Sequence, residues 1–410
     1  MGQSRREFLR SMAGFGGLIL CGAARLALPD YAAPLRAALA FLAARQSRDG
    51  AWRSDHYGAF REGDALTPLV LRAVQVAPCA MAPGEMFARG IRWLERWTDA
   101  RGEEGDGGPN TRYPLFTASY AAQVFARAGD KRRAAVCAAM VARLRVSSAL
   151  GWPADDLGCG AWGDSPFPPQ LPRGVHPTPD MLAPNLSATL LGLRALAAGD
   201  HGAKLAAARP FTESCQNFTA EPASEFDDGG FVFAPDDPVR NKAGAAGCDA
   251  AGRTRFHSYG SATCDGFLAL RLGGAPDDHP RMAAAVGWLQ KHCAGLAETS
   301  LWMTGRAGAK EALVFYYAQA LADALEVLSR NPTIHAWAAA QQRLLASDLM
   351  ARQREDGAWE GAAPDSCEDD PVLATAFAVC ALKQIPTHQP RYDARRSVDA
   401  SSCSGLTSWR

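Results

Sequence analysis

The chain has 410 residues, and its 43 Lys and Arg are balanced by 43 Asp and Glu, so its formal net charge is zero. With the two signs scattered along the sequence, no basic face recommends nucleic acid or an anionic membrane as a partner. Length alone would suggest two or three domains, an expectation that the repeats described below override.

The chain opens on Ser4-Arg5-Arg6-Glu7-Phe8-Leu9-Arg10, followed by an apolar run from Met12 to Ala24. Paired arginines, Phe8-Leu9, a basic Arg10 and an apolar run too short to span a bilayer look like a bacterial twin-arginine export signal, assigned to residues 1–30. Leu20 stands where a lipoprotein signal ending at Cys21 would take a small residue. A soluble periplasmic protein and a membrane-tethered one are both open, and peripheral membrane association goes with the second. The ten cysteines in the mature region suit an oxidising destination. Cys137 and Cys380, in apolar helical runs, read as core residues; Cys159, Cys215, Cys248, Cys367 and Cys403, in polar or glycine-rich loops, are the better bridge candidates.

Past the signal the sequence repeats itself. Gln46-Ser-Arg-Asp49-Gly50-Ala-Trp52 returns near the other end as Gln353-Arg-Glu-Asp356-Gly357-Ala-Trp359, with blurred copies at Asp106-Gly107-Gly108, Gly160-Ala161-Trp162 and Asp228-Gly229-Gly230-Phe231. Before each clear copy lies an amphipathic stretch (Leu35, Leu39 and Leu42; Trp337, Leu344 and Leu345), read as an outer helix. After the loops come segments apolar on nearly every side, such as Ala262 to Leu272 and Val372 to Leu382, read as inner helices. The glycines let the chain turn sharply, the Gln amide meets loose backbone groups, and the Trp supplies a large flat packing surface. Six helical hairpins follow, at about residues 34–76, 87–128, 132–198, 202–274, 278–326 and 335–384, enough to close into one ring. Pro390 to Arg410 lacks periodicity and reads as a disordered tail, assigned to residues 389–410.

In such a ring the starts of the inner helices share one mouth, where chemistry is sought. Along the chain these positions hold Asp64, Asp180, then His257, Tyr259, Cys264 and Asp265, then Tyr316 and Tyr317, and last Asp369 and Asp370. Asp64, Asp180 and the Asp369-Asp370 pair also suit plain helix capping. Tyr259, Tyr316 and Tyr317, with Phe256, Phe267 and Phe315, offer ring faces to a cation, and equally core packing. His257 is kept as a candidate acid or base.

The Gln-x-x-Asp-Gly-x-Trp loops at Gln46 to Trp52 and Gln353 to Trp359 resemble those of the squalene-hopene cyclase and protein prenyltransferase superfamily. The resemblance covers about residues 34 to 384 and implies a single all-α domain over 31–388, an (α/α)6 toroid with a central cavity. Cys367-Glu368-Asp369-Asp370 is similar to the Asp-x-Asp-Asp motif of the cyclases, in which a carboxylic acid protonates an alkene, so the resemblance implies Asp369 and Asp370 as catalytic residues. Cys367 replaces the first Asp. The zinc site of the prenyltransferases would align Cys264 with the metal-bound Cys, but Ala262 and Gln319 stand where Asp and His are needed, so neither metal nor other cofactor is expected.

Two readings of different classes result. In the first the cavity takes an isoprenoid or other lipid-like molecule, with Asp369 or Asp370 as proton donor; in the second the protein is a catalytically silent exported binding or scaffold protein. A polysaccharide-processing toroid, with Asp64 and Asp180 as paired carboxylates, is a third.

Overall fold

The computed structural model describes residues 30–75, 84–104, 111–172, 182–219, 224–296 and 313–386. The export segment, the tail, Asp180 and the Asp106-Gly107-Gly108 loop lie outside the described residues. From Tyr31 to Pro386 the chain forms one compact unit.

Twelve helices are found among the described residues, in six hairpins that match the six repeat units. The outer helices are α1 (Ala32–Ala44), α3 (Gly84–Glu104), α5 (Lys131–Arg143), α7 (Arg209–Ser214), α9 (Pro280–His292) and α11 (His335–Ala351). The inner ones are α2 (Leu66–Val74), α4 (Pro114–Ala128), α6 (Leu186–Ala198), α8 (Gly260–Leu272), α10 (Val314–Leu328) and α12 (Pro371–Gln384). Each inner helix touches the next, and α12 returns to α2, so the inner ring is closed. Every residue of α2 is buried, as are Val372 to Leu382 of α12, in keeping with segments that are apolar all round.

Local chemistry sets the helix starts. Asn185 caps α6 by accepting the Ala188 N–H at 2.8 Å, and Asp370 caps α12 by accepting those of Val372 and Leu373 at 2.9 and 3.0 Å, with Pro371 in the first turn. Among the described residues the one sheet is a small antiparallel hairpin, β1 (Ala245–Cys248) with β2 (Thr254–Phe256), Ala245 opposite Phe256, inserted between α7 and α8.

The repeated loop is the clamp between units. The Gln46 amide donates to its own loop at Gly50 O and to Met86 O at the start of α3, both at 2.9 Å. Gln216 does the same with Gly229 O and Arg281 O, and Gln353 with Gly357 O and Pro34 O. That last bond joins the sixth unit to the first. Trp52, Trp162 and Trp359 are fully buried, and their indole N–H groups donate to carbonyls near the ends of the preceding outer helices, at Leu42, Val141 and Leu349. The backbone N–H of each Trp reaches a threonine hydroxyl in the following inner helix (Thr67, Thr189 and Thr375), and Phe231 repeats the bond with Thr263. Gly357 sits at φ 86° with its would-be Cβ 2.5 Å from Ala37 O, so both conformation and space require glycine.

Eight cysteines are described, and Cys159, Cys215, Cys248 and Cys367 are in no disulfide. The bridge expectation for Cys159, Cys215, Cys248 and Cys367 is therefore corrected; Cys215 is fully buried at the end of α7 rather than placed in an open loop. Cys403 lies outside the described residues.

Candidate active site

The inner helices run parallel, with their N-terminal ends at one mouth. There a cavity of about 260 Å³ opens, walled by Phe60, Tyr113, Phe116, Leu313, Tyr316, Leu373 and Phe377 and edged by Ser366, Cys367 and Glu368. Phe116, Tyr316 and Leu373 each occupy the third position of their helix, so one register carries all three to the axis. Tyr316 and Phe377 meet edge to face at 5.8 Å between ring centres, and Tyr57, Phe60 and Tyr113 form a chain of tilted rings, each pair also 5.8 Å apart.

Three carboxyl groups stand at or near this aromatic cup: Glu368 edges it, while Asp265 and Asp369 accept from the hydroxyls of Tyr316 and Tyr57. Asp265, on α8, is 1% exposed; its Oδ2 accepts hydrogen bonds from the hydroxyls of Tyr316 and Ser187, both at 2.7 Å. Burial pushes its carboxyl up to about 6, against the pull of those two hydroxyls. Glu368 is fully buried across the start of α10, accepting the N–H groups of Phe315 (2.9 Å) and Tyr316 (2.7 Å), and burial pushes it up to about 7 despite these donors. Asp369 accepts a short 2.5 Å bond from the Tyr57 hydroxyl. Burial first, and then Asp369, keep that hydroxyl protonated well above its ordinary range. Between them Cys367 holds a left-handed backbone at φ 59°, rare outside glycine.

Below the cup the axis is not an open tunnel. Asp323 of α10 takes Arg72 (3.2 Å) and Arg194 (2.8 Å) on one oxygen and the Gln384 amide (3.1 Å) on the other, while Arg72 also donates to Gln123 (3.2 Å). Five of the six inner helices contribute to this knot. Burial would raise Asp323, but Arg194 and Arg72 outweigh it and hold its carboxyl below the ordinary range. Lys383 closes the far end by donating to the carbonyls of Arg72 and Ala73, and burial draws its ammonium down to about 7. A central hollow was expected; among the described residues it takes the form of the cup at the mouth and a hollow of about 40 Å³ at the far end, with paired charges on the axis between them.

Of the candidates, Tyr316 lines the cup; Asp265 stands behind it, joined through the Tyr316 hydroxyl, Asp369 follows the edging residues Cys367 and Glu368 and holds the Tyr57 hydroxyl, and Asp370 caps α12. The remaining described candidates do not line the cup. Asp64 is buried ahead of α2, its Oδ1 accepting the Ala65 N–H at 3.1 Å, and burial raises its carboxyl. His257 is exposed, with its backbone N–H on Gly244 O. Tyr259 and Cys264 are buried in the packing of α8, and the Tyr317 hydroxyl lies 3.4 Å from Cys293 Sγ. Glu368, Ser187, Tyr57, Phe60, Tyr113, Phe116 and Phe377 were not singled out from sequence; for Phe116 and Leu373 the shared helix register with Tyr316 was the available signal. A larger cleft of about 620 Å³ flanks the β-hairpin, lined in part by Phe218, Arg255, Phe256 and Arg281. Arg255 there is tied to Asn217, and Arg281 to Gln216 and nearby carbonyls. Among the described residues the cup combines an apolar wall with the buried, raised carboxyl of Glu368 at its edge and that of Asp265 behind Tyr316, so it is the candidate active site.

No protein-family model matches the chain, and no curated protein sequence matches it significantly. Solved structures do. The type II terpene cyclase MstE from Scytonema, in its apo form, aligns with a TM-score of 0.55 at 16% identity, over 86% of this chain and 96% of that one. A variant of it, in complex with the product merosterolic acid A, gives 0.54 at 17% identity over the same shares. The chain is an α/α toroid of the terpene-cyclase shape. The GH76A α-1,6-mannanase from Salegentibacter gives 0.52 at 10% identity, over 87% of this chain and 98% of that one. Two chemistries on one toroid mean that the site, not the shape, must decide function.

Proposed function

We propose that the cup binds one small isoprenoid or similarly apolar molecule. The observation that carries this reading is the aromatic wall around a 260 Å³ hollow at the mouth of the inner ring. At roughly 30 Å³ for each water-sized group, the hollow itself holds on the order of ten carbon-sized groups. Isothermal titration with ten-carbon isoprenoids checks it: binding is expected, and Leu373→Trp, which fills the cup, abolishes it. Undiminished binding in Leu373→Trp overturns the reading.

In the catalytic form of this proposal, Asp369 is the acid. The Tyr57 hydroxyl supports its carboxylate in place of the missing first Asp of the motif, while Asp370 orients the segment by capping α12. Protonation would transfer the Asp369 proton to an alkene carbon, the π pair forming the new C–H bond and leaving a tertiary cation beside the ring faces. Loss of a proton from a neighbouring carbon then restores a double bond. The same titration and a product assay on Asp369→Asn separate the alternatives: lost product with retained binding supports turnover, and absence of product in the parent protein supports a silent binding protein. The Cys367 substitution favours that second reading.

We also propose export through the twin-arginine-type segment, on the strength of Arg5-Arg6 and the apolar run after them. Replacing both by Lys is expected to block export of a folded reporter fused after residue 35; continued export overturns the assignment.

A further inference from the structure

The far end of the ring carries more positive charge than its described carboxylate balances. Arg72, Arg127 and Lys383 stand in the last turns of α2, α4 and α12, which are neighbours in the inner ring. Together with Cys380 and Gln384 they line the hollow of about 40 Å³. Asp323 is the carboxylate beside them, and it is already divided between Arg72 and Arg194. Four basic groups thus gather round one acid in the ring's interior, where charge without a partner is costly.

The negative ends of helices favour last-turn cations and account for part of this excess. Lys383 is used in that way, donating to the carbonyls of Arg72 and Ala73 at the end of α2. Arg72 is occupied by Gln123 and Asp323. Arg127 differs: it lines the hollow, yet among the described residues its guanidinium has no hydrogen bond and no ion pair, and it lies in the like-charge field of Arg72 and Arg194. Its side chain is exposed, which gives an ion from solvent a way in. The Lys383 ammonium is drawn down by burial first, and Arg72 and Arg127 add to that pull, which a nearby negative charge would oppose. Size narrows the choice further. A water molecule takes up roughly 30 Å³, so the hollow admits about one group of that bulk; a phosphate is too large and a halide is not.

We propose that the far-end hollow is a binding site for one small monovalent anion the size of chloride, held between Arg127 and Lys383 beside Arg72. The ion accepts from the unused guanidinium N–H groups of Arg127, a charge-assisted contact, and balances part of the excess. Because its neighbours come from α2, α4 and α12, the bound ion ties the first, second and sixth hairpins together.

The test follows chloride NMR line broadening by the intact protein, with ionic strength held constant by sodium gluconate, whose anion is too large for the hollow. Saturable broadening is expected. Arg127→Gln removes the unpaired guanidinium from an exposed position and is expected to weaken binding by at least about tenfold, the worth of one charge-assisted hydrogen bond. Arg132→Gln takes the same charge from a surface pair with Asp99 and is expected to leave binding unchanged. The urea midpoint of the parent protein is expected to rise with chloride concentration, and that of Arg127→Gln to rise less. Absence of saturable broadening, undiminished binding in Arg127→Gln, or an equal loss in Arg132→Gln overturns the site. A midpoint equally responsive to chloride in the parent and in Arg127→Gln overturns the ion's part in holding the hairpins. None of these outcomes touches the cup reading.

Discussion

The two ends of the inner ring are made from the same helices and have opposite characters. At the mouth, aromatic rings leave space and acids are held one by one, each by hydroxyls or backbone N–H groups. At the far end Asp323, Arg72, Arg194, Gln123 and Gln384 satisfy one another and leave a hollow of only about 40 Å³ beside Arg72 and Gln384. The connections differ in the same sense: residues 144–185 and 215–259 join outer to inner helices on the mouth side, whereas Gly129 and Asp130 alone join α4 to α5 on the other. Short turns and paired charges hold the ring; long loops and unpaired acids shape what it can receive.

That contrast is sharpest in stability. Removing Asp323 by Asp323→Ala leaves two guanidiniums buried without a counter-ion and is expected to cost about 3–5 kcal/mol, whereas Asp369→Asn at the mouth is expected to cost under about 1 kcal/mol. Urea unfolding of the two variants measures the difference, and similar losses would erase the distinction drawn between the ends.

The acids of the mouth should also reveal themselves through pH. Folding raises the Asp265 carboxyl from 3.8 to about 6, so the native state holds that proton more tightly than the unfolded chain does. The resulting stabilisation is complete below about pH 4 and is lost as pH rises through about 6, a contribution on the order of 2–3 kcal/mol. Asp265→Asn cannot titrate, so its urea midpoint is expected to fall less than that of the parent protein between pH 4 and 7, the slope from Glu368 remaining in both. Parallel profiles would mean that Asp265 is not the buried, proton-binding group described.

Much of the ring could be read from the sequence, because Gln, Gly and Trp in the repeated loop have backbone duties that no other residues perform as well. All six hairpins match the units drawn from that spacing, with helix ends overrunning them by at most three residues. Tyr316, Asp265 and Asp369 were also legible, since they stand at inner-helix starts or in a recognised motif. Tyr57, Phe60 and Tyr113 were not: they belong to aperiodic segments that reach the cup only after the chain has folded. Glu368 was hidden as the variable position of Cys367-Glu368-Asp369-Asp370, although a charge there must be buried against a neighbouring helix. The far-end knot escaped notice for another reason. Arg72, Arg194 and Asp323 lie in three different units, and each looks like an ordinary helical charge until one notices that its helix has no solvent face on which to put it.

The bond from Gln353 to Pro34 O, seconded by the Tyr31 hydroxyl on Ile385 O, has a wider meaning. An open stack of hairpins needs a special polar unit at either extremity, and it frays there first. Here the first and last hairpins serve as each other's neighbour, so no unit is terminal and none is free to peel away. The seam between the first and sixth hairpins is held by the same amide clamp as the joints at Gln46 and Gln216, and loosening it there strains the whole circle.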